Sequence, residues 1–144
     1  MEAIIRNILL VDDSENDVKL ITSALRDANF GNEIIVAEDG EEALDFLYTR
    51  GKFADYTGGN PIFVLLDIKM PMLDGIEVLK IIRADDKFKD VPVIMLTSSR
   101  DSHDLQECYN NGANSFVVKP VNINDFIGVV KELGHYWVIV NELP

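Results

Sequence analysis

Five short apolar runs punctuate the chain, and between them apolar residues recur at helical spacing. The runs are Ile8-Leu9-Leu10-Val11, Ile34-Ile35-Val36, Ile62-Phe63-Val64-Leu65-Leu66, Val93-Ile94-Met95-Leu96 and Phe116-Val117-Val118. They are rich in β-branched side chains and apolar at consecutive positions. Strands without polar alternation are buried on both faces, as in a parallel sheet covered by helices. Between the runs, Leu20, Ile21, Ala24, Leu25 and Ala28 share one helical face, and Ala43, Leu44 and Leu47 share another. Val78, Leu79 and Ile82 mark a third helix, and Leu105 and Cys108 fall three residues apart on a fourth. Phe126, Val130, Leu133 and Trp137 mark the fifth. The pattern predicts an α/β chain, a doubly wound (βα)5 fold. Right-handed crossovers and small size favour the parallel strand order 2-1-3-4-5. One connection, Arg50 to Pro61, is longer than usual. It joins the second helix to the third strand, at the sheet edge opposite the ligand-binding one, and reads as a tolerated surface insertion.

Composition narrows the class. The 144 residues suit one domain over 1–144 with no output domain, and 47% apolar with 26% charged is ordinary for a globular protein. Cys108 is the only cysteine, so the chain holds no internal disulfide and no zinc site built on several cysteines. Against 13 bases stand 25 acids, a net charge of -12, and Lys and Arg form no run. Such a chain repels nucleic acid and anionic membrane surfaces. The start, Met1-Glu2-Ala3-Ile4-Ile5-Arg6, is too short and polar for a signal peptide, and no apolar run reaches membrane-spanning length. A cytoplasmic protein with neither nucleic-acid nor membrane partner is expected.

In a parallel sheet all strands point the same way, so residues just past their C-terminal ends converge. After the first strand come Asp12 and Asp13; the third ends at Asp67, the fourth at Thr97 followed by Ser98, the fifth at Lys119. Carboxylates about 4 Å apart repel by roughly 4 kcal/mol per pair at an effective dielectric near 20, so the cluster implies a bound cation or proton. All-oxygen ligands in a small acidic niche suit Mg²⁺ completed by water and phosphate oxygens. Together these groups match phosphoryl transfer to a carboxylate. Asp67 is the nucleophile, with the metal on Asp13 and Asp67 and Asp12 acting through water. Lys119 takes one phosphoryl oxygen, and Thr97, with Ser98 beside it, and backbone N–H groups take another. No general base is needed, because a metal-bound carboxylate is already ionised.

The residues Leu10-Val11-Asp12-Asp13, Leu65-Leu66-Asp67-Ile68-Lys69-Met70-Pro71-Met72-Leu73-Asp74-Gly75, Leu96-Thr97-Ser98 and Val118-Lys119-Pro120 resemble the receiver domains of two-component response regulators over nearly the whole chain. The resemblance implies that Asp67 accepts a phosphoryl group from a phosphohistidine on a sensor histidine kinase. It implies Mg²⁺ on Asp13, Asp67 and the main-chain carbonyl of Lys69, with Asp12 assisting, and a cis Lys119-Pro120 peptide. Thr97 and Phe116 correspond to the family's switch pair, which reshapes the surface of the fourth helix, fifth strand and fifth helix. The long loop and the tail ending Asn141-Glu142-Leu143-Pro144 are similar to stand-alone receivers that partner phytochrome-type histidine kinases. The run Tyr136-Trp137-Val138-Ile139-Val140 is apolar at more positions than one helix face needs, which suggests a homodimer through helix four, strand five and helix five.

Two alternatives use the same fold. A flavin-binding electron carrier needs a Ser/Thr/Gly phosphate cradle after the first strand; here that loop reads Asp12-Asp13-Ser14-Glu15-Asn16-Asp17. A Mg²⁺-dependent phosphatase working through an aspartyl phosphate carries a second acid two residues after its nucleophile, where this chain has Lys69. His103 and His135 read as surface or helix-end residues, and Cys108 as a small core residue.

Overall fold

The computed structural model describes residues 7–28, 31–98 and 102–132. Strands β1 (Ile8–Val11), β2 (Ile34–Ala37), β3 (Phe63–Asp67), β4 (Val93–Thr97) and β5 (Ser115–Val118) alternate with helices α1 (Glu15–Asp27), α2 (Gly40–Leu47), α3 (Gly75–Ala84), α4 (Ser102–Asn110) and α5 (Ile123–Glu132). The strands pair in parallel in the order β2-β1-β3-β4-β5, the predicted order.

Alternation along each strand sends neighbouring side chains to opposite faces, so one apolar run supplies two layers of core. Leu9, Val11, Val64, Leu66, Val93 and Met95 pack with Leu44, Leu47, Val78, Leu79, Ile82 and Cys108, the side of α2, α3 and α4. Ile8, Leu10, Phe63, Leu65, Ile94 and Leu96 pack with Ile21, Leu25 and Phe126, the side of α1 and α5. That division explains why the runs lack polar positions. Leu20 departs from its predicted helical face and is 51% exposed, because Ile21 and Leu25 fill the α1 contact with the sheet.

Helix starts follow from their caps. Ser14, Asp39 and Asp74 accept the backbone N–H of Asp17, Glu42 and Glu77, and Glu77 returns a bond to the Asp74 N–H as a capping box. Acidic residues in these first turns also suit the positive end of each helix dipole. At the far end of α3, the Arg83 guanidinium donates to the Gly112 carbonyl at 2.8 Å and to Asn114 Oδ1 at 2.8 Å. The same Asn114 oxygen accepts the Val93 N–H at 2.8 Å, so one residue ties α3, β4 and the approach to β5.

The Arg50–Pro61 connection lies at the N-terminal edge of the sheet but is more ordered than a surface insertion needs to be. It opens with a 3-10 turn, Gly51–Phe53, and packs Phe53 and Tyr56 on Phe46 with ring centroids 5.2 and 4.7 Å away. The side-chain amide of Asn7 donates to the Tyr56 hydroxyl, and that of Asn60 to the Lys87 carbonyl at 2.9 Å. These aromatic contacts give the loop a small core of its own. The run 136–140, on which pairing through α4, β5 and α5 rests, lies outside the described residues, as do Leu133, His135 and Trp137. Among the described residues no helix is long and apolar enough to cross a membrane.

Candidate functional site

The C-terminal ends of β1, β3, β4 and β5 bring Asp12, Asp13, Asp67, Thr97 and Lys119 to one edge of the sheet. Register sets this. Val11 pairs with Leu66, Asp67 with Leu96 and Thr97 with Val118, so the residues that follow lie side by side. The Lys119 N–H then donates to the Thr97 carbonyl at 2.7 Å.

Asp12, Asp67 and Thr97 are buried polar residues at 1%, 6% and 5% exposure, while Asp13 is exposed. One carboxylate oxygen from each of Asp12, Asp13 and Asp67 lies within 4.8 Å of the others. Asp12 Oδ1 accepts the Ser14 N–H at 2.9 Å, which aims the loop into α1. Among the described residues, the buried Asp12 Oδ2 has the Lys119 ammonium, 2.7 Å away, as its one neighbouring cation and no further donor aligned on it. An under-coordinated buried oxygen within a set of hard oxygen donors fits a divalent cation. A cleft of about 370 Å³ lies beside Asp12 and Asp13, its wall made of Glu15, Glu38 and Asp39 together with the apolar Val18, Val36 and Pro71.

Lys119 is the cationic counterweight. Its ammonium reaches Asp12 at 2.7 Å, Asp17 at 3.0 Å and Asp67 at 3.2 Å. Burial works against its charge, but hydrogen bonds to Asp12 and Asp17 and the fields of Asp67 and Asp12 outweigh that and raise its pKa. Burial pushes Asp67 up to about 6; Lys119 opposes the shift and the neighbouring Asp12 adds to it. The Lys69 main chain also touches the site, donating its N–H to the Asp67 carboxylate. Its side chain leaves the pocket for Asp104, 3.6 Å away. No second acid stands two residues after Asp67, as a phosphatase of this type would need.

The Lys119-Pro120 peptide is cis. Ser98 follows Thr97 at the rim and is exposed. Phe116 pairs in register with Met95 and is half-buried against the α2–α4 side of the core. Its ring meets Tyr109 of α4 edge-on, centroids 6.1 Å apart. His103 is exposed on α4, 3.8 Å from Glu107, and Cys108 is 1% exposed. Asp17 is the site residue that motif reading passes over. Its position in the first turn after an N-cap was legible, but its reach to a lysine 102 residues away was not.

Comparison with known proteins agrees with this geometry. Residues 8–131 match the response regulator receiver domain. The chain is 46% identical to the bacteriophytochrome response regulator AtBRR, covering 96% of this chain and 99% of that one, with a TM-score of 0.87. It is 32% identical to the response regulator Rcp1 of Synechocystis sp. over 137 residues, 95% of this chain and 92% of Rcp1. The Mn²⁺-bound form of Rcp1 superposes with a TM-score of 0.75, at 32% identity over 96% of this chain and 99% of that one. The probable methanogenesis regulatory protein FilR2 of Methanothrix harundinacea is 36% identical over 140 residues, 95% of this chain and 86% of FilR2. None of these relatives is a flavin carrier or a phosphatase. With its sequence match, its strand order and its acidic pocket in agreement, the chain belongs to the response regulator receiver family, the phosphoacceptor modules of two-component signalling.

Proposed function

We propose that Asp67 is the phosphoacceptor and that its donor is a phosphohistidine on a sensor histidine kinase. The observation that carries this is the convergence of Asp12, Asp13 and Asp67 within 4.8 Å beside a lysine ammonium 3.2 Å from Asp67. One Asp67 carboxylate oxygen attacks phosphorus in line, the P–N bond to the imidazole breaks, and its electron pair leaves with the histidine nitrogen, which a proton then neutralises. Asp12, Asp13, Asp67 and the Lys69 carbonyl would hold Mg²⁺. When bound, the ion supplies positive charge to the phosphoryl oxygens. Lys119 takes a second oxygen of the transferred group, and Thr97 and Ser98 offer hydroxyls to the third. No general base is required, and the chain acts on no substrate beyond its own phosphorylation and slow hydrolysis.

Thr97 and Phe116 serve as the switch in this reading. Thr97 moves toward the phosphorylated Asp67 and Phe116 turns inward from its edge-on contact with Tyr109, altering the α4, β5 and α5 surface that a protein partner reads. The likeness to AtBRR and Rcp1 supports a phytochrome-type kinase as donor and a cytoplasmic setting. Incubation with Mg²⁺ and a small acyl or amido phosphate, followed by intact-mass measurement, tests the proposal. Wild type gains the mass of one phosphoryl group and Asp67→Asn gains none. A wild-type chain that never gains it, or an Asp67→Asn chain that does, overturns the assignment.

A further inference from the structure

Three carboxylates surround one ammonium at this site, and only two of them belong to the metal cluster. Asp12 and Asp67 do; the third, Asp17, stands in the first turn of α1, where the Ser14 hydroxyl accepts its N–H at 3.2 Å. Asp17 Oδ2 accepts a hydrogen bond from Lys119 at 3.0 Å. The Asp17 side chain is 32% exposed, against 0% and 8% for Asp12 and Asp67, so it meets the lysine from the solvent side. An ammonium has three donors. A lysine closing fully on Asp12 and Asp67 would occupy the oxygens a divalent cation needs. The ammonium instead stands farther from Asp67, at 3.2 Å, than from Asp12 or Asp17.

We propose that Asp17 is a positioning residue that shares the Lys119 ammonium and so keeps the Asp67 carboxylate open to the cation and the phosphoryl donor. This rests on the reading of Asp67 as phosphoacceptor. On phosphorylation the donor that faces Asp67 turns to a phosphoryl oxygen, while bonds to Asp12 and Asp17 hold the nitrogen in place. Neither charge nor bond number at the lysine has to change.

The test is a double-mutant cycle read by titration with Mn²⁺ alone, following the spectrum of the free ion by electron paramagnetic resonance. Wild type, Asp17→Asn, Lys119→Met and the double variant are compared. Asp17→Asn is expected to weaken Mn²⁺ binding about three- to tenfold when Lys119 is present, and less than about twofold in the Lys119→Met background. Equal weakening in both backgrounds would mean that Asp17 contributes only general negative charge, and no weakening would mean it contributes nothing; either result overturns the proposal. A second reading uses phosphorylation by a small acyl phosphate. For Asp17→Asn the half-saturating Mn²⁺ concentration rises by the same factor and the rate recovers at saturating metal. A lower maximal rate with unchanged half-saturation also refutes it. Mn²⁺ titration needs no phosphorylation, so a wild type that takes up the ion but never gains phosphate counts against Asp67 as acceptor and not against Asp17.

Discussion

Burial raises two different acids in this protein, and their neighbours then act on them in opposite directions. Asp67 and Cys108 are both acids pushed up by burial, to about 6 and about 11. Asp67 has Lys119 beside it to draw it back, whereas Cys108 has Asp104, Glu107 and Asp74, whose charges push it further up. Cys108 is therefore held as a neutral thiol. Because it ionises more readily in the unfolded chain, stability declines as pH rises from about 9, its ordinary value, toward about 11. Alkylation with iodoacetamide at pH 8 should be far slower on the folded protein than in urea. Equal rates would mean the thiol is exposed. The positions of Thr97 and Phe116, like those of Asp67 and Cys108, were legible in the sequence, while Phe116's contact with Tyr109 depends on how α4 lies over β5.

Among the elements, α3 has the closest bearing on the phosphoacceptor. It begins immediately beside the end of β3, and the Gly75 N–H donates to the Ile68 carbonyl at 2.9 Å. A Cβ on Gly75 would stand 2.1 Å from the Asp67 carbonyl oxygen and 2.9 Å from the Ile68 Cα. Both neighbours are backbone and cannot rotate away. Gly75→Ala should cost about 1–3 kcal/mol, the range for overpacking, seen as a lower urea midpoint. It should also slow phosphorylation, because relief of the clash displaces Asp67. Unchanged stability and rate would show that the helix start is slack. At the same loop Met72, 97% exposed, takes a φ of 68°, a conformation that a tight β3–α3 turn imposes on a residue other than glycine. The third and fourth strands end at Asp67 and Thr97 as the sequence reading has them, while pairing adds Ala37 to β2 and Ser115 to β5 and leaves Ile62 outside β3.

For the molecule as a whole, the acidic site is a region of stored repulsion within a chain of net charge -12. A cation that binds the folded cluster and not the unfolded chain must stabilise the fold. At a hundredfold excess over the dissociation constant the gain is about 2.7 kcal/mol, or roughly 5–10 °C in Tm at this size. Thermal denaturation with Mg²⁺ or Mn²⁺ should show that rise, and a chelator or Asp13→Asn should remove it; the same Tm with and without metal would refute a cation site there.

The sequence alone determined the fold class, the strand order and the five residues that meet at the sheet edge. The reason is that consecutive apolar positions encode burial on two faces, and a parallel sheet makes strand ends converge whatever the side chains do. Tertiary structure decided what depends on the distance between side chains remote in sequence. It brought Asp17 to Lys119 across 102 residues and turned the Lys69 side chain toward Asp104. It packed the 50–61 connection on Phe46, and left Leu20 in solvent although its helical spacing resembles that of a core residue. Spacing along a chain states which face a residue belongs to. Whether that face is covered, and by which charge, is set only when the other elements have packed against it.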